Sequence, residues 1–228
     1  MTLLIAANWK MNPPPAGFDA PESPYRPTAG ADVLICPMAV DLRRLAAAGI
    51  KVAAQAVRPE ATGAFTGDLS VASAKDAGCS AVLCGHSERR QHHGETDEAV
   101  RAQTEAALAA ELVAIVCVGE KDGEDREAVL RRQLAGIPDR PEVVIAYEPV
   151  WAIGTGKAAS AADAVAAATL IRQILPNVSA VLYGGSAKAD NAASFLAEPA
   201  IGGLLVGGAA LKPAEFSAIL SVAKGLGR

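Results

Sequence analysis

The chain has no apolar run of membrane length, no basic stripe and no paired cysteine motif. None of its apolar stretches approaches the roughly 20 residues that cross a bilayer as a helix. Lys and Arg number 21 against 25 Asp and Glu, and no cationic cluster marks a surface for nucleic acid or a membrane. The four cysteines, Cys36, Cys79, Cys84 and Cys117, are scattered without a C-x-x-C pair, and they read as buried free thiols in a reducing compartment. Gly154-Thr155-Gly156-Lys157 lacks the leading glycine and trailing hydroxyl residue of a nucleotide phosphate loop. No G-x-G-x-x-G joins a strand to a long helix, so no nucleotide cofactor is expected. His92 and His93 are adjacent, with Gly94 and Glu95 next, a spacing that suits tetrahedral ligation poorly, so no metal is expected. The first residues, Met1-Thr2-Leu3-Leu4-Ile5-Ala6-Ala7, carry no basic segment, and a secretory leader is not expected. These features lead to the expectation of a soluble cytoplasmic protein with no nucleic-acid or membrane partner.

What is present is a regular alternation. The 228 residues are 51% hydrophobic, a length that is generous for one average domain and short for two. Short apolar runs fall at 3–7, 33–36, 50–54, 81–84, 112–118, 143–147, 180–183 and 204–206. Most are continuous, as strands covered on both faces should be. Ala-rich stretches with helical spacing separate them, most clearly at 96–111, 124–135, 160–175 and 188–197. Ser160-Ala161-Ala162-Asp163 has the pattern of a capping box. Eight strands alternating with helices argue for a parallel sheet, and eight is the number that closes a barrel. The chain is therefore expected to be a single α/β barrel domain over 1–228, with an open doubly wound sheet as the alternative. One helix is missing from the pattern. Residues 13–30 hold six prolines and two glycines, and an interior proline costs a helix about 3 kcal/mol. An extended, irregular connection between the first two strands is expected there.

Polar and glycine residues gather where the apolar runs end. Asn8-Trp9-Lys10 follows the first run, Gly85-His86-Ser87-Glu88-Arg89-Arg90 the fourth, Glu148 the sixth, Gly184-Gly185-Ser186 the seventh and Gly207-Gly208 the eighth. In a parallel barrel these ends share one face, the face that carries active sites. Glu148 is followed by Pro149, which stops the strand, and by a tip of small residues with Gly154 and Gly156. That is a carboxylate base beside a hinged lid. His86 opens a short helical turn, where the positive end of the helix dipole favours a neutral imidazole able to donate to a carbonyl. In an extended segment Asn8 and Lys10 point the same way, so an ammonium and a carboxamide face one oxyanion. A Schiff-base role is the other reading of Lys10. The two Gly-Gly pairs and the Ser186 hydroxyl suit a phosphate, since glycine lets backbone N–H groups approach an anion.

Six segments taken in order, Ala7 to Asn12, Gly63 to Gly67, Gly85 to Arg90, Ala146 to Lys157, Tyr183 to Ser186 and Leu205 to Ala209, closely resemble the triosephosphate isomerase family. The resemblance implies a single (β/α)8 TIM barrel, here with its first helix replaced by the Pro-rich segment. It also implies a cofactor-free isomerisation of a triose phosphate through an enediolate. Glu148 would be the base, His86 the neutral electrophile, and Lys10 and Asn8 the oxyanion stabilisers. Gly154, Ser186, Gly207 and Gly208 would hold the phosphate, and Glu88 would support the site. A homodimer made through the 63–67 loop is implied as well. A relative acting on a four-carbon ketose phosphate would keep the same residues, and a phosphate-binding protein without catalysis is a further alternative. The chain departs from the family at 13–30, in shorter connections at 120–147 and 157–180, at Gln91-His92-His93, and at Gly202. There the family commonly has an Asp, whose partner here would be Arg172.

Overall fold

Eight short parallel strands close into one ring in chain order: β1 (Leu4–Asn8), β2 (Asp32–Cys36), β3 (Val52–Ala54), β4 (Cys79–Cys84), β5 (Val113–Val118), β6 (Val143–Tyr147), β7 (Ala180–Tyr183) and β8 (Gly203–Val206). The computed structural model describes residues 2–153 and 159–227. The ring closes where Leu4 of β1 pairs with Gly203 of β8. The expected barrel is therefore the observed one, and the open sheet is excluded. Strand starts differ from the sequence expectation by one to two residues, as at β3 and β4.

The described helices are α1 (Leu42–Ala47), α2 (Val71–Asp76), α3 (Ser87–His93), α4 (Asp97–Ala109), α5 (Arg126–Leu134), α6 (Ala161–Ile174), α7 (Ala192–Leu196) and α8 (Pro213–Gly225). Both α3 and α4 follow β4, and none follows β1. Side-chain caps fix several starts. Thr96 accepts from Ala99 N at 3.2 Å and Asp125 from Ala128 N at 2.7 Å. Ser160 and Asp163 form the full capping box at α6. α8 begins with Pro213. At the first helical position its missing N–H removes no intrahelical bond.

The 13–30 segment lacks a helix, as expected, but it is not extended. Phe18 N bonds Pro15 O at 3.1 Å, Ala20 N bonds Gly17 O at 3.1 Å and Arg26 N bonds Ser23 O at 3.2 Å, so the segment is a string of turns. Pro fixes φ near the value a turn needs, so closely spaced prolines favour turns over a strand. The segment is pinned by buried Phe18 and Tyr25. Gly202 also has a local reason. A Cβ there would lie 2.8 Å from Ala180 Cβ, so β7 and the entry to β8 meet only over glycine. Arg172 donates to the carbonyls of Val178 and Ser179.

Side chains split by parity into two apolar layers. Ala6, Leu34, Cys36, Ala53, Ala81, Leu83, Ile115, Cys117, Val144, Ala146, Ala180, Leu182 and Leu205 fill the barrel interior. Their strand neighbours, such as Ile5, Val33, Ile35, Val82, Ile145 and Val181, pack outward under the helices. This alternation of faces has a period of two. Extended past the strand ends, the inward series reaches Asn8 on β1, Gln55 after β3, Gly119 after β5, Glu148 after β6, Gly184 after β7 and Gly207 after β8. The barrel thus aims those positions at its mouth.

All three tyrosines are buried, at 1% (Tyr25), 1% (Tyr147) and 0% (Tyr183) exposure. Burial pushes Tyr25 and Tyr183 up to about 12 from 10.0. Burial, with the Glu120 carboxylate beside it, pushes Tyr147 higher still. Unfolded tyrosines lose protons first, so their stabilising contribution is full below pH 10 and falls as pH rises from 10 to about 12. Phenolate absorbance in an alkaline titration should therefore stay low near pH 10 and rise together with unfolding. A native titration step at pH 10 would contradict this burial.

Candidate active site

One cavity of about 400 Å³ opens at the C-terminal end of the barrel. It is lined by Asn8, Lys10, His86, Glu148, Ser186, Gly207 and Gly208, among others. Every site residue expected from the sequence is therefore brought to one place, except Gly154, which lies outside the described residues with Thr155, Gly156, Lys157 and Ala158.

Glu148 is 1% exposed and stands between two glycines. A Cβ on Gly119 would sit 1.8 Å from Glu148 O, and one on Gly184 would sit 2.9 Å from Glu148 Cγ. Its N–H donates to Val118 O at 2.7 Å, which ties it to β5. Carboxylate Oε2 accepts from Ser87 N at 2.8 Å. Oε1 is buried and has no hydrogen-bond donor among the described residues. It nevertheless lies 3.0 Å from His86 Nε2, in an orientation that is not a hydrogen bond.

His86 is the N-cap of α3, and its Nδ1 accepts from Glu88 N at 3.2 Å. An accepting Nδ1 carries no proton, so Nε2 is the nitrogen left to bear one. That nitrogen faces the pocket floor beside Glu148. The cap explains why this histidine follows Gly85: φ of +70° at Gly85 turns the chain from β4 into α3.

Lys10 departs from the sequence picture. Its φ is +51°, so it is not extended, and it does not share the cavity with Asn8 through strand alternation. The left-handed turn is held by neighbours instead. Lys10 N donates to Asn8 Oδ1 at 3.0 Å, and Gln55 Nε2 donates to Lys10 O at 2.8 Å. The ammonium pairs with Glu88 Oε1 at 2.5 Å. It also runs past Gly207, where a Cβ would lie 3.6 Å from Lys10 Cε. Burial works against ionisation of Glu88, but the Lys10 bond and charge outweigh it and hold that carboxyl below the usual range.

Ser186 lines the cavity, yet its hydroxyl donates to Ala152 O at 2.7 Å, on the stem leading to residue 154. Three further groups also matter, of which Glu120 falls in a stretch, Cys117 to Glu120, that resembles the family's scaffold. Exposed Lys188 and Lys212 edge the same cavity, the latter 3.3 Å from Glu215. Both lie within a few residues of a glycine pair, and that proximity was the available signal. Glu120 is 3% exposed and accepts from Tyr147 Oη at 2.9 Å and Trp151 Nε1 at 3.0 Å. It fixes Trp151 in the turn after Pro149. Arg126 Nη2 bonds Asp163 at 3.2 Å and Arg126 Nε approaches Glu120 at 3.4 Å, so the stem is linked to the start of α6. Glu95, near the paired histidines, is taken by Arg89 at 2.9 Å and Gln103 at 3.2 Å.

A buried carboxylate, an imidazole, an ammonium and a glycine turn within one cavity suit proton transfer next to the carbonyl of a small anion. A family model described as triosephosphate isomerase matches residues 3–223. Proteins named triosephosphate isomerase are similar throughout. The one from Marinobacter nauticus is 44% identical over 95% of this chain and 95% of its own length. That from Acidiphilium cryptum is 45% identical over 98% and 99%, and that from Deinococcus radiodurans 43% over 96% and 98%. The Acidiphilium alignment spans 250 positions against 228 residues here, in keeping with shortened connections in this chain.

Replacing Gly119 with Ala should push the Glu148 backbone out of place. A displacement near 1 Å at a reacting group typically costs about a hundredfold in rate. Gly119→Ala is expected to lower kcat at least about tenfold, measured beside a circular dichroism melt that shows a folded barrel. Full turnover in a folded variant would refute the proposed wedge.

Proposed function

Since the chain belongs to the triosephosphate isomerase family, and interconversion of dihydroxyacetone phosphate with glyceraldehyde 3-phosphate is its activity, we propose how its residues divide the work. Glu148 removes a proton from the carbon next to the carbonyl and returns it to the neighbouring carbon. His86 Nε2 donates to the carbonyl oxygen and shuttles a proton between the two oxygens of the enediolate. Lys10 and Asn8 stabilise the charge that develops on those oxygens. Such a donor is typically worth about a hundred- to a thousandfold in rate. The proton moves between carbons of one molecule, so no external oxidant or reductant enters the balance.

The observation that carries this reading is the approach of Glu148 Oε1 to His86 Nε2, 3.0 Å, on the floor of a cavity that also holds Lys10. That gap is too small for a substrate carbon. The carboxylate therefore has to leave Ser87 N as substrate enters. Gly207 and Gly208 offer backbone N–H groups to the phosphate, with Lys188 and Lys212 adding positive charge at the rim. Ser186 joins them if its hydroxyl exchanges the Ala152 carbonyl for a phosphate oxygen. Gly154 is assigned to the phosphate, and the tip 152–156 with a trailing hinge at 157–159 to a lid, on the family resemblance alone. A closed lid would keep water from the enediolate, which can otherwise expel phosphate.

A homodimer is the proposed assembly. Phe65 of the 63–67 loop is 38% exposed and stacks beneath Arg58 at 3.8 Å. A groove of about 730 Å³ beside Arg89, His93 and Glu95 has room for the loop of a second copy. Light scattering after gel filtration should return twice 23.2 kDa. A cytoplasmic location is proposed from the free buried thiols; the described residues include no helix long and apolar enough to cross a membrane.

Glu148→Ala should lower kcat by at least roughly a hundredfold while substrate still binds. Unchanged turnover would remove Glu148 from the chemistry. Purified protein should prefer triose over tetrulose phosphate in side-by-side assays, and the reverse preference would overturn the substrate assignment.

A further inference from the structure

The segment that stands where a first helix would be reaches two walls of the cavity through one residue. Tyr25 is 1% exposed, and its hydroxyl donates to Ala210 O at 2.8 Å. Ala210 belongs to the 3-10 turn Gly208–Leu211, whose first residues line the cavity, and Ala210 N bonds Gly207 O at 2.9 Å. Three residues after Ala210 comes Pro213, which has no N–H with which to continue that turn. The Tyr25 hydroxyl supplies a donor to the buried carbonyl. The ring of Tyr25 does the second job. It meets Trp9 edge-on at 5.1 Å and stacks on Phe216 at 5.3 Å. Trp9 is fully buried between Asn8 and Lys10 in sequence, and Lys10 carries the left-handed φ.

We propose that Tyr25 is a positioning residue, which locks the phosphate-binding turn through its hydroxyl and the Asn8–Lys10 strand end through its ring. The inference rests on the reading of Gly207 and Gly208 as the phosphate grip. Removing the hydroxyl leaves the Ala210 carbonyl short of a donor in a dry place and loosens the turn. The effect falls first on phosphate affinity, because the turn touches the phosphate and not the reacting carbons. Removing the ring unseats Trp9 as well, and the effect spreads to the oxyanion side.

The test measures KM and kcat for the triose phosphate, and competitive inhibition by inorganic phosphate, in the full-length protein and in Tyr25→Phe and Tyr25→Leu. In Tyr25→Phe, KM and the phosphate inhibition constant should rise together by about three- to tenfold, by more than kcat falls. Tyr25→Leu should add a clear loss of kcat. Melting temperatures are recorded for each. A lower melting temperature with KM and phosphate inhibition unchanged would make Tyr25 a structural residue only and overturn the proposal. If inorganic phosphate fails to compete even in the unmodified protein, the phosphate-grip reading fails, and this inference fails with it.

Discussion

Glu148 can stand at the cavity floor only because the strands on either side of β6 are each followed by a glycine. A Cβ at Gly119 would collide with its carbonyl, and one at Gly184 would crowd its side chain. The closed parallel ring makes this contact unavoidable. Parity sends positions 144, 146 and 148 inward, while the neighbouring strands send 119 and 184 toward the same axis. A carboxylate fits there because its neighbours have no side chains. The same parity brings Asn8, Gln55 and Gly207 to the mouth from strands far apart in sequence. Function here depends on ring closure first and on individual residues second.

A second buried carboxylate organises the approach to the cavity. Burying a charge is costly unless it is well supplied with donors. Glu120 has the Tyr147 hydroxyl, the Trp151 indole and the Arg126 guanidinium. Those three come from β6, from the stem after it and from α5, so one charge fastens three elements. Arg126 also grips Asp163, whose bond to Ser160 caps α6. Both flanks of 154–158 are thereby tied to one network. Tyr183 adds to the trailing flank, since its hydroxyl accepts from Ala159 N at 3.2 Å.

Much of this was legible from residue order. The eight apolar runs located the strands, and the polar residues just beyond them located the site, because a strand end in a parallel ring has one possible face. The capping box at Ser160 was readable because its partners are three residues apart. What escaped reading depends on contacts across the ring. Cys117 to Glu120 resembles the family's scaffold, but the donors to Glu120 lie 6 to 31 residues away and carry no local signal. Gln55 serves Lys10 from 45 residues away. The geometry of Lys10 was misread because extension was assumed to continue past Asn8. Only Gln55 and the Asn8 carboxamide make the left-handed turn tenable. The Pro-rich segment was correctly denied a helix and wrongly extended, because prolines exclude a helix without choosing between strand and turn.

The site holds features that folding alone would not favour. A non-glycine residue at positive φ costs of order 1–3 kcal/mol, as Lys10 illustrates at +51°. A buried carboxylate oxygen with no donor, Glu148 Oε1, costs more than one that is bonded. Lys10 directly follows Trp9, which joins Phe18, Tyr25 and Phe216 in one aromatic cluster. Three of those four rings come from the segment just after β1 or from its flank. A glycine at position 10 would relieve the backbone but remove the ammonium. With Glu148 as the base proposed above, a donor placed against Oε1 would satisfy the oxygen but compete with the proton it is to take. The strain therefore cannot be removed without removing the chemistry.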